Sequence, residues 1–99
     1  MTSDQVSFHP EAAAELEAGL AWYAARSGKV AEQFLAELDR AIAVILRSPR
    51  GWKQIIGPWR RYPLRRFPFL IYFRETDRGI AIVAVAHGRR RPGYWRERG

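Results

Sequence analysis

Phe69-Leu70-Ile71-Tyr72-Phe73, then Thr76-Asp77-Arg78-Gly79, then Ile80-Ala81-Ile82-Val83-Ala84-Val85-Ala86 is the stretch that decides the architecture. Two nearly continuous apolar runs, rich in β-branched and aromatic residues, flank a short polar turn, which is the pattern of a buried β-hairpin. Side chains alternate across a strand, so Phe69, Ile71 and Phe73 share one face and Leu70 and Tyr72 the other. Both faces of this hairpin therefore need cover.

Working outward toward the N-terminus, Arg61–Arg66 reads as a further strand. Pro63 cannot donate to a ladder, which places that strand at an edge. Arg50 to Trp59 reads as a loop. Before it, Phe34, Leu35, Leu38, Ile42 and Ile45 form one apolar stripe of a helix from about Val30 to Arg47, with Glu32, Glu37 and Arg40 turned away. An earlier helix runs from about Pro10 to Arg26. Proline suits its first position, Glu11 and Glu15 suit its positive end, and Ser27-Gly28 supplies a stop. Ala13, Leu16, Leu20, Tyr23 and Ala24 lie on one side of it, with Glu11, Glu15 and Ala18 on another. Gln5-Val6-Ser7-Phe8 reads as a short first strand. The expected fold is α+β in the order β-α-α-β-β-β: an antiparallel sheet with an N-terminal helical hairpin packed on one face. A helical pair covers only that face, leaving the other to loops, the C-terminal tail or another chain.

The chain has 99 residues, which is one domain, 1–99, without room for a second. It contains no cysteine, so disulfides and thiolate metal sites are excluded, and His9 and His87 have no second ligand at useful spacing; neither a metal nor a cofactor is expected. The start has no basic-then-apolar leader and no run reaches membrane-spanning length, so the expected compartment is the cytoplasm. The net charge of +7 is unevenly divided. Residues 1–46 hold three basic groups against seven acids, and residues 47–99 hold fourteen basic groups against three acids. Nearly all of the later cations are arginines, whose planar forks suit phosphates, carboxylates and aromatic faces. That composition fits an acidic partner such as nucleic acid or an acidic protein segment, and it also fits a solvated charged surface.

The ending His87-Gly88-Arg89-Arg90-Arg91-Pro92-Gly93-Tyr94-Trp95 follows the last strand directly. With Arg61, Arg65, Arg66 and Arg74 on the sheet, its arginines are expected to gather at one rim. Tyr94 and Trp95 then either offer stacking platforms for single-stranded nucleic acid or fold back and plug the open sheet face. His87, Tyr94 and the arginines hold the ingredients for cleaving RNA, namely proton transfer and phosphate neutralisation. A histidine at a strand end also serves structural roles. There is no paired-carboxylate site, glycine-rich phosphate loop or nucleophile elbow.

Phe8-His9-Pro10-Glu11-Ala12, Leu64-Arg65-Arg66-Phe67-Pro68-Phe69-Leu70-Ile71-Tyr72 and Ala86-His87-Gly88-Arg89-Arg90-Arg91-Pro92-Gly93-Tyr94-Trp95 together resemble the RelE/ParE family of toxins, in particular its plasmid-stabilisation, ParE-like branch. The resemblance implies the toxin of a type II toxin–antitoxin pair, neutralised by a cognate antitoxin that wraps it and through which alone the pair reaches operator DNA. It also implies one of two targets. RelE-like members cut mRNA on the ribosome with basic sheet residues and a C-terminal aromatic, and on that reading Arg90, Tyr94 and His87 are the catalytic candidates. ParE-like members poison DNA gyrase without that set. The RelE lysines have no lysine counterpart here, with Arg61 a substitute in charge only. The RelE strand arginine falls near the apolar Leu70, and Ala86-His87-Gly88-Arg89 is more similar to ParE. The resemblance thus favours gyrase, with Arg61, Arg65, Arg89, Arg90, Arg91 and Trp95 meeting the target and Arg65, Leu70, Tyr72 and Arg74 meeting the antitoxin. A harmless nucleic-acid-binding module stands as a third expectation.

Overall fold

The computed structural model describes residues 5–98. Residues 1–4 and 99 lie outside the described residues, and with them the ends of the expected 1–99 domain. The element order is β1 (Val6–Phe8), α1 (Pro10–Ala24), α2 (Gly28–Arg47), β2 (Gln54–Ile56), β3 (Trp59–Pro63), β4 (Phe69–Glu75) and β5 (Ile80–His87). The strands form one sheet in the order β1-β5-β4-β3-β2.

The hairpin of β4 and β5 is central and antiparallel, in register from Phe69 opposite His87 to Glu75 opposite Ile80. Its turn is closed by Thr76, whose N–H donates to the Gly79 carbonyl at 2.8 Å and whose Oγ1 accepts from Gly79 N at 3.1 Å. Tyr72 pairs with Ala84 and Phe73 with Ile82, so Val83 is an extra residue on β5. That bulge puts Val83 and Ala84 on the same side, away from the helices.

Two expectations about the sheet are corrected. It is mixed, because β1 runs parallel to β5, Val6 opposite Ile80 and Phe8 opposite Ile82. A three-residue strand carries no signal for its partner's direction, because its alternation reads the same either way. The strand bearing Pro63 is also not outermost. β2, inside the stretch read as a loop, pairs antiparallel with β3 through a tight turn at Gly57, φ +51°. Pro63 is tolerated because it ends β3.

The helices form where their stripes place them, with three corrections. α1 buries Ala12 and Gly19 with Leu16 while Ala24 is exposed, Glu37 of α2 is buried rather than turned away, and the boundary between the helices differs. His9 caps α1, its Nδ1 accepting from Glu11 N at 3.1 Å, and Pro10 stands at the first turn. Ser27-Gly28 does not stop α1; it starts α2, with Ser27 Oγ accepting from Val30 N at 3.3 Å. The end of α1 is satisfied instead by the Tyr23 carbonyl, which accepts from Arg26 N and Ser27 N. Ala31, Phe34, Leu38, Ala41 and Ile45 bury the inner face of α2 against Ile71, Phe73, Ile82 and Val85 of the sheet. Tyr23, Phe34, Phe67 and Phe69 pack edge-on or tilted at one end of this core.

The opposite sheet face is covered by the chain's own C-terminal segment. Trp95 is 1% exposed and sits on Tyr72, Val83, Ala84 and Ala86, with Ile55, Ile56, Trp59, Leu70 and Tyr94 around it. Its ring lies 4.8 Å from Tyr72 and 5.6 Å, edge-on, from Trp59.

Candidate functional site

Antiparallel pairing separates the arginines that the sequence suggests would meet at one rim. Arg65 and Arg66 occupy the β3–β4 turn and Arg89–Arg91 follow β5, and the two segments are stitched by Gly88 N donating to Pro68 O at 2.8 Å. These five arginines are all exposed and form one basic end. Arg74 lies toward the other end of β4, about 17 Å away along the strand at the usual rise per residue. It pairs across β5 with Ala81, and its guanidinium sits 5.6 Å from the Trp59 ring. Arg61, half-buried and opposite Tyr72, stands between the two ends on the face that carries Trp95.

The basic end is held by a buried acid. Glu37, 9% exposed, accepts from the backbone N–H of Arg65 and, at 3.4 Å, of Arg66, with Arg40 3.7 Å from the same oxygen. The helix carboxylates are thus not all solvated surface: an unpaired N–H in the turn would be costly, and Glu37 on the facing helix supplies its acceptor.

Glu15 does the same work on a larger scale. Its Oε1 accepts from Val85 N at 3.0 Å and Arg98 Nη1 at 2.9 Å, and its Oε2 accepts from Arg98 Nη2 at 2.9 Å and the Tyr94 hydroxyl at 2.6 Å. Arg98 also donates to the Val83 carbonyl at 3.2 Å. β1 ends at Phe8, so among the described residues no strand lies beside the outer side of β5 beyond Ile82; Glu15 and Arg98 satisfy its backbone groups at Val85 and Val83 instead. Burial alone would raise the Glu15 carboxyl, but hydrogen bonds from Arg98, Tyr94 and Val85, with the Arg98 charge, outweigh it and hold the group below its ordinary value. The Tyr94 hydroxyl is pushed far up, first by burial and then by its bond to Glu15 and that group's charge, against the smaller opposing charges of Arg98 and Arg90. Arg90 stacks over the Tyr94 ring, 3.9 Å from its centroid.

Beside this cluster lies a cleft of about 440 Å³ between α1 and the ends of β4 and β5. Ala18, Gly19 and Phe69 help form its apolar lining, and His87, Arg90 and Tyr94 form its polar side. Gly19 lets Phe69 approach: a Cβ there would lie 3.2 Å from the Phe69 ring. His87 is edge-on to Phe69 at 5.4 Å and accepts at Nδ1 from Arg89 N at 3.2 Å.

The structure therefore brings His87, Arg90 and Tyr94 together, and gathers Arg65 with Arg89, Arg90 and Arg91. It does not bring Arg61 or Arg74 to that end. Trp95 is a core residue in this fold and Tyr72, 6% exposed, lies beneath it, so neither presents an open surface. Leu70 is half-buried at the rim of the same packing, opposite Pro63 and Ala86. Sequence reasoning missed Glu15, Glu37 and Arg98. For Glu15 a signal existed: Ala18 and Trp22 follow it at three and seven residues, so its helix face is not uniformly polar. Among the described residues no group of His, Asp and Glu could hold a metal ion, and no helix is long and apolar enough to cross a membrane.

A helical hairpin on one face of a small mixed sheet, with a C-terminal segment strapped over the other face, is the α+β architecture anticipated from the motifs. The family model described as the ParE toxin of the type II toxin–antitoxin system, parDE, matches residues 6–92, and the chain belongs to that family. Among solved structures it is similar to a chain of the "Chromosomal ParDE TA system from P. aeruginosa", with TM-score 0.70 and 21% identity over 84% of this chain and 94% of that one. At that identity the likeness speaks for the fold. No curated protein matches the sequence.

Proposed function

We propose that this ParE-type toxin acts in the cytoplasm by poisoning DNA gyrase, with the basic end formed by Arg65 and Arg89–Arg91 as its docking surface. In this reading a cognate antitoxin, through acidic and apolar residues, neutralises it by covering that end and the neighbouring Leu70. Operator DNA is reached only through the antitoxin.

The observation that carries the choice of target is the state of Tyr94. General acid–base catalysis works best with a group whose pKa lies near the operating pH. The Tyr94 hydroxyl is already donated to Glu15, is displaced far above the ordinary tyrosine value, and has Arg90 laid across its ring. That arrangement suits a rigid binding surface better than a proton shuttle. The position expected to carry a RelE-like strand arginine is Leu70, which packs apolar.

Ribosome-dependent mRNA cleavage is favoured by one observation, that His87, Arg90 and Tyr94 line a single cleft. Pulse-labelling after controlled expression without antitoxin separates the two. A gyrase poison stops DNA synthesis first and inhibits supercoiling in vitro. Arrest of protein synthesis first, abolished by Tyr94→Phe or Arg90→Ala alone, would overturn the proposal. Loss spread over Arg89, Arg90 and Arg91, several-fold for each alanine, is the outcome expected of a docking surface. Tolerated expression combined with salt-sensitive binding to free nucleic acid would instead mark a harmless binding module.

A further inference from the structure

The last contacts of the C-terminal segment lie beyond the range matched by the family. Residues 6–92 match, whereas Tyr94, Trp95 and Arg98 do not fall within them. These three residues make the packed contacts of the segment that follows Arg89–Arg91. Arg90 N donates to the His87 carbonyl at 2.9 Å and Tyr94 N to the Arg91 carbonyl at 3.2 Å, which makes two successive turns of the chain. Beyond them, the segment is pinned by Trp95 in its socket and by Tyr94 and Arg98 on one carboxylate.

We propose that Glu15 is a positioning residue for target binding: it clamps Tyr94 and Arg98 to β5, and so presents Arg90 and its neighbours as an ordered basic surface. The proposal rests on the reading that the tail arginines meet the target. A helix carboxylate that only balanced charge would need one cation. Glu15 instead takes a two-pronged fork from Arg98, the Tyr94 hydroxyl and the Val85 backbone N–H, so its acceptor capacity is directed at three groups on two pieces of chain, β5 and the C-terminal segment. The link to the arginine surface is direct, because the ring fixed by Glu15 is the ring on which Arg90 stacks. The exposed Glu11, one turn earlier on α1, adds a second carboxylate 3.8 Å from the same Arg98 Nη2. The charged and titratable groups around the carboxylate are therefore Arg98, Tyr94, Glu11 and, across the ring and cleft, Arg90 and His87.

The segment is rich in trypsin sites, which makes its order measurable in the purified full-length protein. Glu15→Gln is expected to speed cleavage after Arg89 and Arg90 at least tenfold, the bond after Arg91 being protected by Pro92, and to weaken growth arrest on controlled expression at least tenfold. A spectroscopic signature accompanies this: one tyrosine whose phenolate forms only at extreme alkalinity in the wild type titrates closer to 10 in the variant. Tyr94→Phe, which keeps the ring and loses one bond, should show a smaller change of the same kind, and Arg98→Gln a change as large as Glu15→Gln. These two variants decide the matter if Glu15→Gln does not fold. Unchanged cleavage in Glu15→Gln and Arg98→Gln overturns the clamp, and a freed segment with undiminished growth arrest overturns its role in positioning. Arrest of translation rather than DNA synthesis by the wild type would remove the gyrase reading, while the cleavage and growth comparisons would still judge Glu15. If the wild type causes no arrest, target positioning by Glu15 is overturned as well.

Discussion

Trp95→Ala tests whether the chain's own tail seals the second face of the sheet. The indole is 1% exposed and contacts Tyr72, Trp59 and the small residues Ala84 and Ala86. Truncating a buried aromatic of this size costs about 3–5 kcal/mol. Against that, the indole Nε1 is buried without a hydrogen-bond partner among the described residues, a penalty of about 1–3 kcal/mol that the alanine relieves. Taken at their centres the two terms leave a net loss of about 2 kcal/mol, and for a domain of this size that lowers the thermal midpoint by about 8–16 °C. Trp95→Phe keeps most of the ring contact and removes the unpartnered N–H, so it should fall within about 1 kcal/mol of the wild type. Thermal unfolding followed by circular dichroism, with amide exchange at Val83–Ala86 as a local probe, reads both. Alanine and phenylalanine variants that both melt within about 3 °C of the wild type would refute the reasoning. So would a phenylalanine as damaging as the alanine.

Three further outcomes follow from buried contacts. Glu37→Ala leaves the N–H groups of Arg65 and Arg66 without their acceptor and should cost about 1–3 kcal/mol in a denaturant titration; an unchanged midpoint would mean that water replaces it without loss. Gly79→Ala places a Cβ 2.1 Å from the Gln5 carbonyl oxygen, so β1 must move away from β5, at a cost of about 1–3 kcal/mol and with faster amide exchange at Ile80 and Ile82. Retained protection there would show that β1 stays paired with β5 and that the turn absorbs the added methyl instead. The clamp also sets a pH window. Glu15 is depressed in the folded state, so its contribution is present above the unfolded value near 4.3 and is lost as pH falls through the lower folded value. Tyr94 is raised, so the part it contributes is present below about 10 and is lost as pH rises beyond that. Thermal midpoints of wild type and Glu15→Gln should therefore differ most between these limits and converge in acid; a constant difference down to strong acid would be inconsistent with an ionised clamp.

The fold was legible in proportion to the length of each periodic signal. The β4–β5 hairpin announced itself through two long apolar runs and a polar turn, and α2 through a stripe repeated over several turns. The three-residue β1 and β2 were another matter. Segments that short are stabilised by neighbouring strands rather than by their own pattern, so β2 reads as loop in the sequence and the direction of β1 leaves no trace there. Ser27-Gly28 illustrates the same limit at single-residue scale, since serine and glycine suit either end of a helix, and packing against the sheet chose the start of α2.

By itself, the sequence determined the fold class, the basic character of the C-terminal half, and the family motifs, because these depend on periodicity, composition and local order. It also implied that the second face of the sheet needed a cover. Only the tertiary structure decided what that cover is, by seating Trp95 on Tyr72 and Ala84. Tertiary structure alone likewise separated Arg74 from Arg65 and Arg89–Arg91, because antiparallel strands send residues close in sequence to opposite ends of a sheet. The Glu15–Arg98 pair joins residues 83 positions apart. No local pattern encodes such a contact; it exists because α1 lies beside the open stretch of β5, where the unpaired Val83 and Val85 backbone groups required partners.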